Sequence, residues 1–143
     1  MQYINGNTTI EIQHDGTRII QYEGDLQLEY PLNIDIRVST RCSFGYNPKT
    51  GSAFCDFCHE SARTDGTECN YEILKEKLQG LPKGIELAIG ANNITLELVS
   101  FLQWCYDQQY ICNLTINQGH IKRDLTKLKY LIYNQYIKGL GIS

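Results

Sequence analysis

From Leu32 onward the sequence switches repeatedly between two hydrophobic periods, and this alternation most narrows what the chain can fold into. Leu32-Asn33-Ile34-Asp35-Ile36-Arg37-Val38-Ser39 is apolar at every second position, the pattern of a strand with one apolar and one polar face. Residues 71–79 then read as a helix, with Asn70 as N-cap and Gly80 followed by Pro82 as the stop. Residues 85–89 form a short strand closing on Gly90. Over 95–108, Leu98, Phe101, Leu102 and Cys105 recur at i, i+3, i+4 and i+7, one face of an amphipathic helix. A third strand over 111–117, a third helix over 122–134 with Leu125, Leu128 and Ile132 inward, and a fourth strand over 137–143 complete the order β-α-β-α-β-α-β. Strands alternating with helices imply right-handed crossovers and a parallel sheet, either open and doubly wound or curled toward a barrel.

The polar positions choose between these. A sheet covered on both faces has continuously apolar strands, yet Asn33, Asp35, Arg37 and Ser39 share one face, as do Asn113, Thr115 and Asn117. A curled sheet with outer helices and a polar lumen accounts for this, with Ile34, Ile36, Leu114, Ile116, Leu140 and Ile142 turned to the helices; a sheet with helices on one face only is the plainer alternative. Before Pro31, Thr8, Ile10 and Ile12 alternate up to Asp15-Gly16, a hairpin signal, and a second turn at Gly24-Asp25 leads into Leu26, Leu28 and Tyr30. The expectation is an α/β fold: a partial (β/α) barrel of parallel strands with outer helices over 32–143, preceded by an antiparallel β-hairpin appendage over 1–31.

A length of 143 residues suits about one domain at ~100–200 residues each. The net charge of −3 is not gathered into runs of either sign, so nucleic acid is not a default partner. No stretch approaches the ~18 apolar residues of a membrane span, and Met1-Gln2-Tyr3-Ile4-Asn5-Gly6-Asn7 is neither basic nor followed by an apolar signal core. The expectation is a cytoplasmic protein. In that compartment thiols stay reduced, so a close cluster among the six cysteines is read as a metal or redox site rather than a set of staples. Cys105 and Cys112 fall on apolar positions and read as small buried hydrophobes. The informative cluster is Cys42-x12-Cys55-x2-Cys58.

Sites in parallel α/β folds form at the carboxyl ends of the strands. Three loops leave there: the cysteine excursion, Gly90-Ala91-Asn92-Asn93, and Asn117-Gln118-Gly119-His120. Asn47-Pro48-Lys49-Thr50-Gly51 is a turn that folds the excursion back and brings Cys42 beside Cys55 and Cys58. Three thiolates from one loop suit a soft metal or an iron–sulfur cluster with one iron left open.

These residues resemble the N-terminal part of the radical S-adenosylmethionine enzyme family, in which a first strand ends in a motif C-x3-C-x-φ-C with an aromatic residue before the last cysteine. Cys55-Asp56-Phe57-Cys58 matches its second half, Phe57 included, while Cys42 lies twelve rather than three residues upstream. The resemblance implies a [4Fe-4S] cluster on Cys42, Cys55 and Cys58, whose open iron chelates the amino and carboxylate groups of S-adenosylmethionine. It also implies an electron donor such as a flavodoxin or ferredoxin, and reductive cleavage of the sulfonium to methionine and a 5′-deoxyadenosyl radical that attacks an unknown substrate. Gly90, Ala91 and Asn92 stand where the family has a Gly-Gly-Glu-Pro-like turn for the methionine amino group. Asn117 stands at a Thr-Asn-Gly-like strand end, and Ser143 resembles the polar residue that meets the ribose.

Other readings compete for the same residues. Cys42, Cys55, Cys58 and either His59 or Cys69 supply four ligands for a closed zinc site, which gives the alternative of a non-enzymatic zinc- or cluster-stabilised binding module. Cys55-Asp56-Phe57-Cys58-His59 also matches the C-x-x-C-H haem signature, but haem of that type is attached outside the cytosol. His59 reads as solvated and His120 as a surface or capping residue at a helix start, with a place facing the site, given by its strand-end position, as the alternative; Asp35 and Arg37 read as a lumen pair. The family usually has six or more β/α units and this sequence supplies four strands. A truncated or split N-terminal portion, or a second chain completing the barrel, is therefore expected.

Overall fold

In a computed structural model describing residues 1–55, 58 and 61–143, the chain opens on β1 (Gln2–Asn5), β2 (Thr8–Ile12) and β3 (Arg18–Tyr22), an antiparallel meander in that order. The Asp15-Gly16 turn joins β2 to β3 as the sequence indicates, whereas residues 26–30 form no strand. Two asparagine side chains hold that segment instead. Asn5 Oδ1 accepts from the amides of Glu29 and Tyr30, and Asn7 Oδ1 accepts from that of Gln27. The backbone there is satisfied locally, so no fourth strand is required.

The alternating segment after Pro31 becomes β4 (Asn33–Arg37), followed by β5 (Arg41–Tyr46), α1 (Tyr71–Leu78), β6 (Glu86–Ala91), α2 (Leu96–Asp107), β7 (Ile111–Ile116), α3 (Gln118–Tyr133) and β8 (Gly139–Ile142). β4, β6, β7 and β8 form one parallel sheet in that order, with β4 and β8 as its edges. The fold is thus α/β with an open four-stranded sheet. Asn70 caps α1 by accepting from the amides of Glu72 and Ile73, and Thr95 caps α2 by accepting from that of Leu98.

Register separates the two faces. Ile36, Ile89, Leu114 and Leu140 lie in one row across the sheet. This apolar face packs on Leu78 of α1, on Leu98, Phe101, Leu102 and Cys105 of α2, and on Leu128 and Leu131 of α3. At ~25 cal/mol per Å2 such burial is the main force holding helices to sheet. The row thins at the β8 edge, where Leu140 and Ile142 remain 37% and 59% exposed.

α3 departs from its predicted register. It begins four residues earlier than periodicity suggests and turns His120, Asp124, Leu128 and Leu131 inward, while Leu125 and Ile132 are 41% and 50% exposed. The cause is polar. Asp124, 5% exposed, accepts from the Ile94 amide and pairs with Arg123, so a carboxylate occupies the inner stripe that an apolar count assigns elsewhere.

The meander sits at the opposite end of the sheet from the strand carboxyl ends. Ile10 and Ile12 pack with Ile111, the first residue of β7, and the Arg18 guanidinium pairs with the Glu86 carboxylate at the start of β6.

Candidate functional site

The second face of the sheet carries the rows Asp35-Ala88-Asn113-Gly139 and Arg37-Gly90-Thr115-Gly141. Polar side chains alternate there with residues that have little or no side chain, so the face is hollow at its centre. A cavity of about 570 Å3 opens above it. Asp35, Arg37, Ala88 and Thr115 reach it from the sheet face; Gly90, Ala91, Asn92, Asn117 and Ser143 line it from the strand ends; Cys42, Cys55 and Cys58 line it from the excursion between β4 and α1.

The excursion is built on β5, which the sequence reading treats as loop. The 47–51 turn closes as anticipated, with the Asn47 amide donating to the Ser52 carbonyl at 2.7 Å. The chain then returns alongside β5, where the Phe54 and Cys55 amides both approach the Phe44 carbonyl, at 3.2 and 3.4 Å. β5 also meets the segment after Cys58: the Tyr46 amide donates to Ala62 O at 2.9 Å, and the Ala62 amide lies 3.5 Å from Cys58 Sγ. Gly45 is required here. A Cβ on it would stand 2.3 Å from the Ala62 carbonyl oxygen.

Cys42 is buried and its Sγ lies 3.4 Å from Nε2 of His120. Against the sequence expectation of a surface or capping residue, His120 is 1% exposed. The true cap of α3 is Asn117, whose Oδ1 accepts from the Gly119 amide at 2.8 Å. The His120 ring stacks on Phe44, with centroids 4.5 Å apart, and Phe44 meets Phe54 at 4.8 Å. Gly119 makes room for this stack, since a Cβ there would fall 2.2 Å from the Phe44 ring. Burial, with the Arg123 charge, pushes His120 below its ordinary value despite the opposing pull of Asp124, which favours the neutral ring. Sequence reasoning passed over Phe44, although its position two residues after Cys42 puts it on the same face of a strand.

The remaining predicted residues are distributed as follows. Asn92 donates from Nδ2 to the Ser39 carbonyl at 3.4 Å, tying the end of β6 to the end of β4. Arg37 Nε donates to the same carbonyl at 3.3 Å. The Ser143 amide donates to Ile116 O at 3.1 Å, and its carbonyl accepts from the Gln118 amide at 2.8 Å. Cys69 is not part of the cavity lining. It packs against the main core and its amide donates to Val38 O, while burial, then Glu68, pushes its thiol up. Cys105 and Cys112 are buried in that core as expected, and Cys105 is pushed up by its hydrogen bond to Cys112 and by burial. Phe57 and His59 lie outside the described residues. No protein-family model, curated protein or solved structure matches this chain.

The donor set of the cavity bears on the implied cluster. Three cysteines from one excursion line a single space, whose other lining includes the amide residues Asn92 and Asn117, the hydroxyl residue Ser143 and Gly90 of β6. Soft sulfur donors on one wall with hard polar groups opposite suit a thiolate-held iron site beside a polar small molecule.

Proposed function

We propose that the chain is a radical S-adenosylmethionine enzyme or its N-terminal portion, holding a [4Fe-4S] cluster on Cys42, Cys55 and Cys58. The observation that carries this reading is that Cys42, Cys55 and Cys58 line one cavity at the strand carboxyl ends together with Gly90, Ala91, Asn92, Asn117 and Ser143. The sequential strand order, with helices on one face and a polar hollow on the other, further supports a partial (β/α) barrel. A doubly wound sheet reverses its order at a switch point, and β4-β6-β7-β8 has no reversal.

When bound and reduced, the cluster supplies the single electron that cleaves the sulfonium. The chain's own residues bind and orient. Asn92 spends its amide nitrogen on Ser39, so its side-chain carbonyl is the group offered to the methionine ammonium. Asn117 has the reverse arrangement: its carbonyl is held by the Gly119 amide, which leaves the NH2 to donate toward the nucleoside. Gly90 keeps the backbone of the β6 end open to a ligand, and Ser143 offers a hydroxyl from beyond β8. Phe57 is assigned beside the cofactor by its place in the motif. An electron donor of the flavodoxin or ferredoxin kind, and a second chain or further β/α units against the β8 edge, complete the proposal.

Anaerobic reconstitution with iron and sulfide tests it. The expected product is brown, absorbs broadly near ~400 nm, and releases 5′-deoxyadenosine when reduced with S-adenosylmethionine present; alanine at Cys42, Cys55 or Cys58 removes both properties. A colourless chain retaining one zinc, or a cluster that yields no deoxyadenosine, refutes the enzyme and favours a metal-stabilised binding module.

A further inference from the structure

The contact between Cys42 and His120 is built from two elements. β5 carries Cys42 and Phe44 on one face, and α3 brings His120 against both, with Nε2 3.4 Å from Cys42 Sγ and the ring stacked on Phe44 at an interplanar angle of 26°. The absence of a side chain at Gly119 lets the Phe44 ring lie flat against the start of α3. The imidazole is 1% exposed, so water does not compete for its nitrogen. A buried polar nitrogen is costly to keep unless it is hydrogen-bonded, and the partner within reach of Nε2 is the Cys42 sulfur.

A cysteine sulfur bound to iron carries no proton, so a hydrogen bond between it and His120 requires the hydrogen to sit on Nε2. Such a bond draws charge from the sulfur and favours the more negative, reduced form of the cluster. We propose that His120 is a positioning residue: its Nε2–H donates to the Cys42 sulfur, fixes that sulfur toward the cavity and raises the reduction potential of the cluster. This inference rests on the cluster reading above, and it concerns a residue outside the ligand set.

The test is an anaerobic redox titration, followed by electron paramagnetic resonance, of the reconstituted full chain and of two variants. His120→Phe keeps an aromatic ring against Phe44 and removes the donor; His120→Gln restores an amide N–H at similar reach. The expected result is a midpoint shifted to more negative potential in H120F and returned most of the way in H120Q, with the cluster's absorption unchanged. A merely structural ring would leave the potential of a loaded H120F where it was, and that outcome overturns the assignment while leaving the cluster reading intact. Should H120F fail to fold or load, a 15N-histidine-labelled chain carrying H14Q and H59Q decides. A weak nitrogen coupling to the reduced cluster in pulsed resonance supports the bond, and its absence overturns it. A wild-type chain that takes up no cluster at all overturns the reading and this inference together.

Discussion

Gly45→Ala isolates the packing that holds the cysteine excursion together. The added Cβ would stand 2.3 Å from the Ala62 carbonyl oxygen, 2.6 Å from its carbon and 2.8 Å from the Arg63 nitrogen, all backbone atoms with no rotamer to yield. Reaching an ordinary contact of ~3.5 Å requires the two segments to part by roughly 1 Å. The hydrogen bond from the Tyr46 amide to Ala62 O, at 2.9 Å, does not survive that opening. Losing it costs about 1 kcal/mol and the residual overpacking about 1–3 kcal/mol. At a mid-range urea m-value of ~2 kcal/mol per M the total of about 2–4 kcal/mol lowers the midpoint by about 1–2 M. Gly51→Ala is the control: Gly51 has φ +68° with nothing within 4 Å of its Cβ position, so it carries only the backbone penalty of about 1 kcal/mol. The assay is urea unfolding of both variants followed by circular dichroism. A G45A midpoint equal to that of G51A refutes the packing account of the excursion.

Three further outcomes are expected. Phe101→Ala empties a fully buried position between Tyr71 and Trp104 and costs about 3–5 kcal/mol in denaturant unfolding. Asn70→Ala removes both side-chain hydrogen bonds to the first turn of α1 and costs about 1 kcal/mol, whereas Asn70→Ser is near neutral. Burial alone raises the Asp124 carboxyl, but the Arg123 hydrogen bond, the Ile94 amide and the Arg123 and Lys127 charges outweigh it and leave Asp124 below its ordinary value. Its contribution to stability is therefore complete above the unfolded value of ~3.9 and disappears as pH falls through the lower folded value. Thermal melts of the wild type should decline across that acid range more steeply than those of Asp124→Asn.

The strands and helices around the sheet were legible where burial follows a single period. β4, β6 and β7 alternate cleanly in register with one another, and α2 buries the four residues its spacing singles out. α3 was misjudged because its inner stripe contains His120 and Asp124, whose burial depends on partners at Cys42 and Ile94 that lie 78 and 30 residues away. β5 was hidden for a related reason. It pairs through isolated bridges to Arg63 rather than within a sheet, so the short alternation of Cys42, Phe44 and Tyr46 has no neighbouring strand in the chain order to support it. Residues 26–30 show the converse: an alternating Leu26, Leu28 and Tyr30 suggested a strand, but Asn5 and Asn7 supply the hydrogen bonds a neighbouring strand would have given. At the site, chain position alone suggested that the strand ends and cysteines share a mouth. The stacking of Phe44 on His120 depends on a tertiary approach that no local pattern encodes.

The six sulfurs differ in how far each stands from solvent: Cys58 is exposed, Cys55 and Cys69 are half-buried, and Cys42, Cys105 and Cys112 are buried. Because thiol reagents attack accessible thiolates, a maleimide added to the native chain should tag these positions in succession, beginning at the mouth of the cavity and ending in the core. Mass increments on a peptide map then become a ruler for the protein's integrity. Early tagging at Cys105 or Cys112 reports a breached interior, while shielding of Cys55 and Cys58 after loading reports occupancy without any need for colour or turnover.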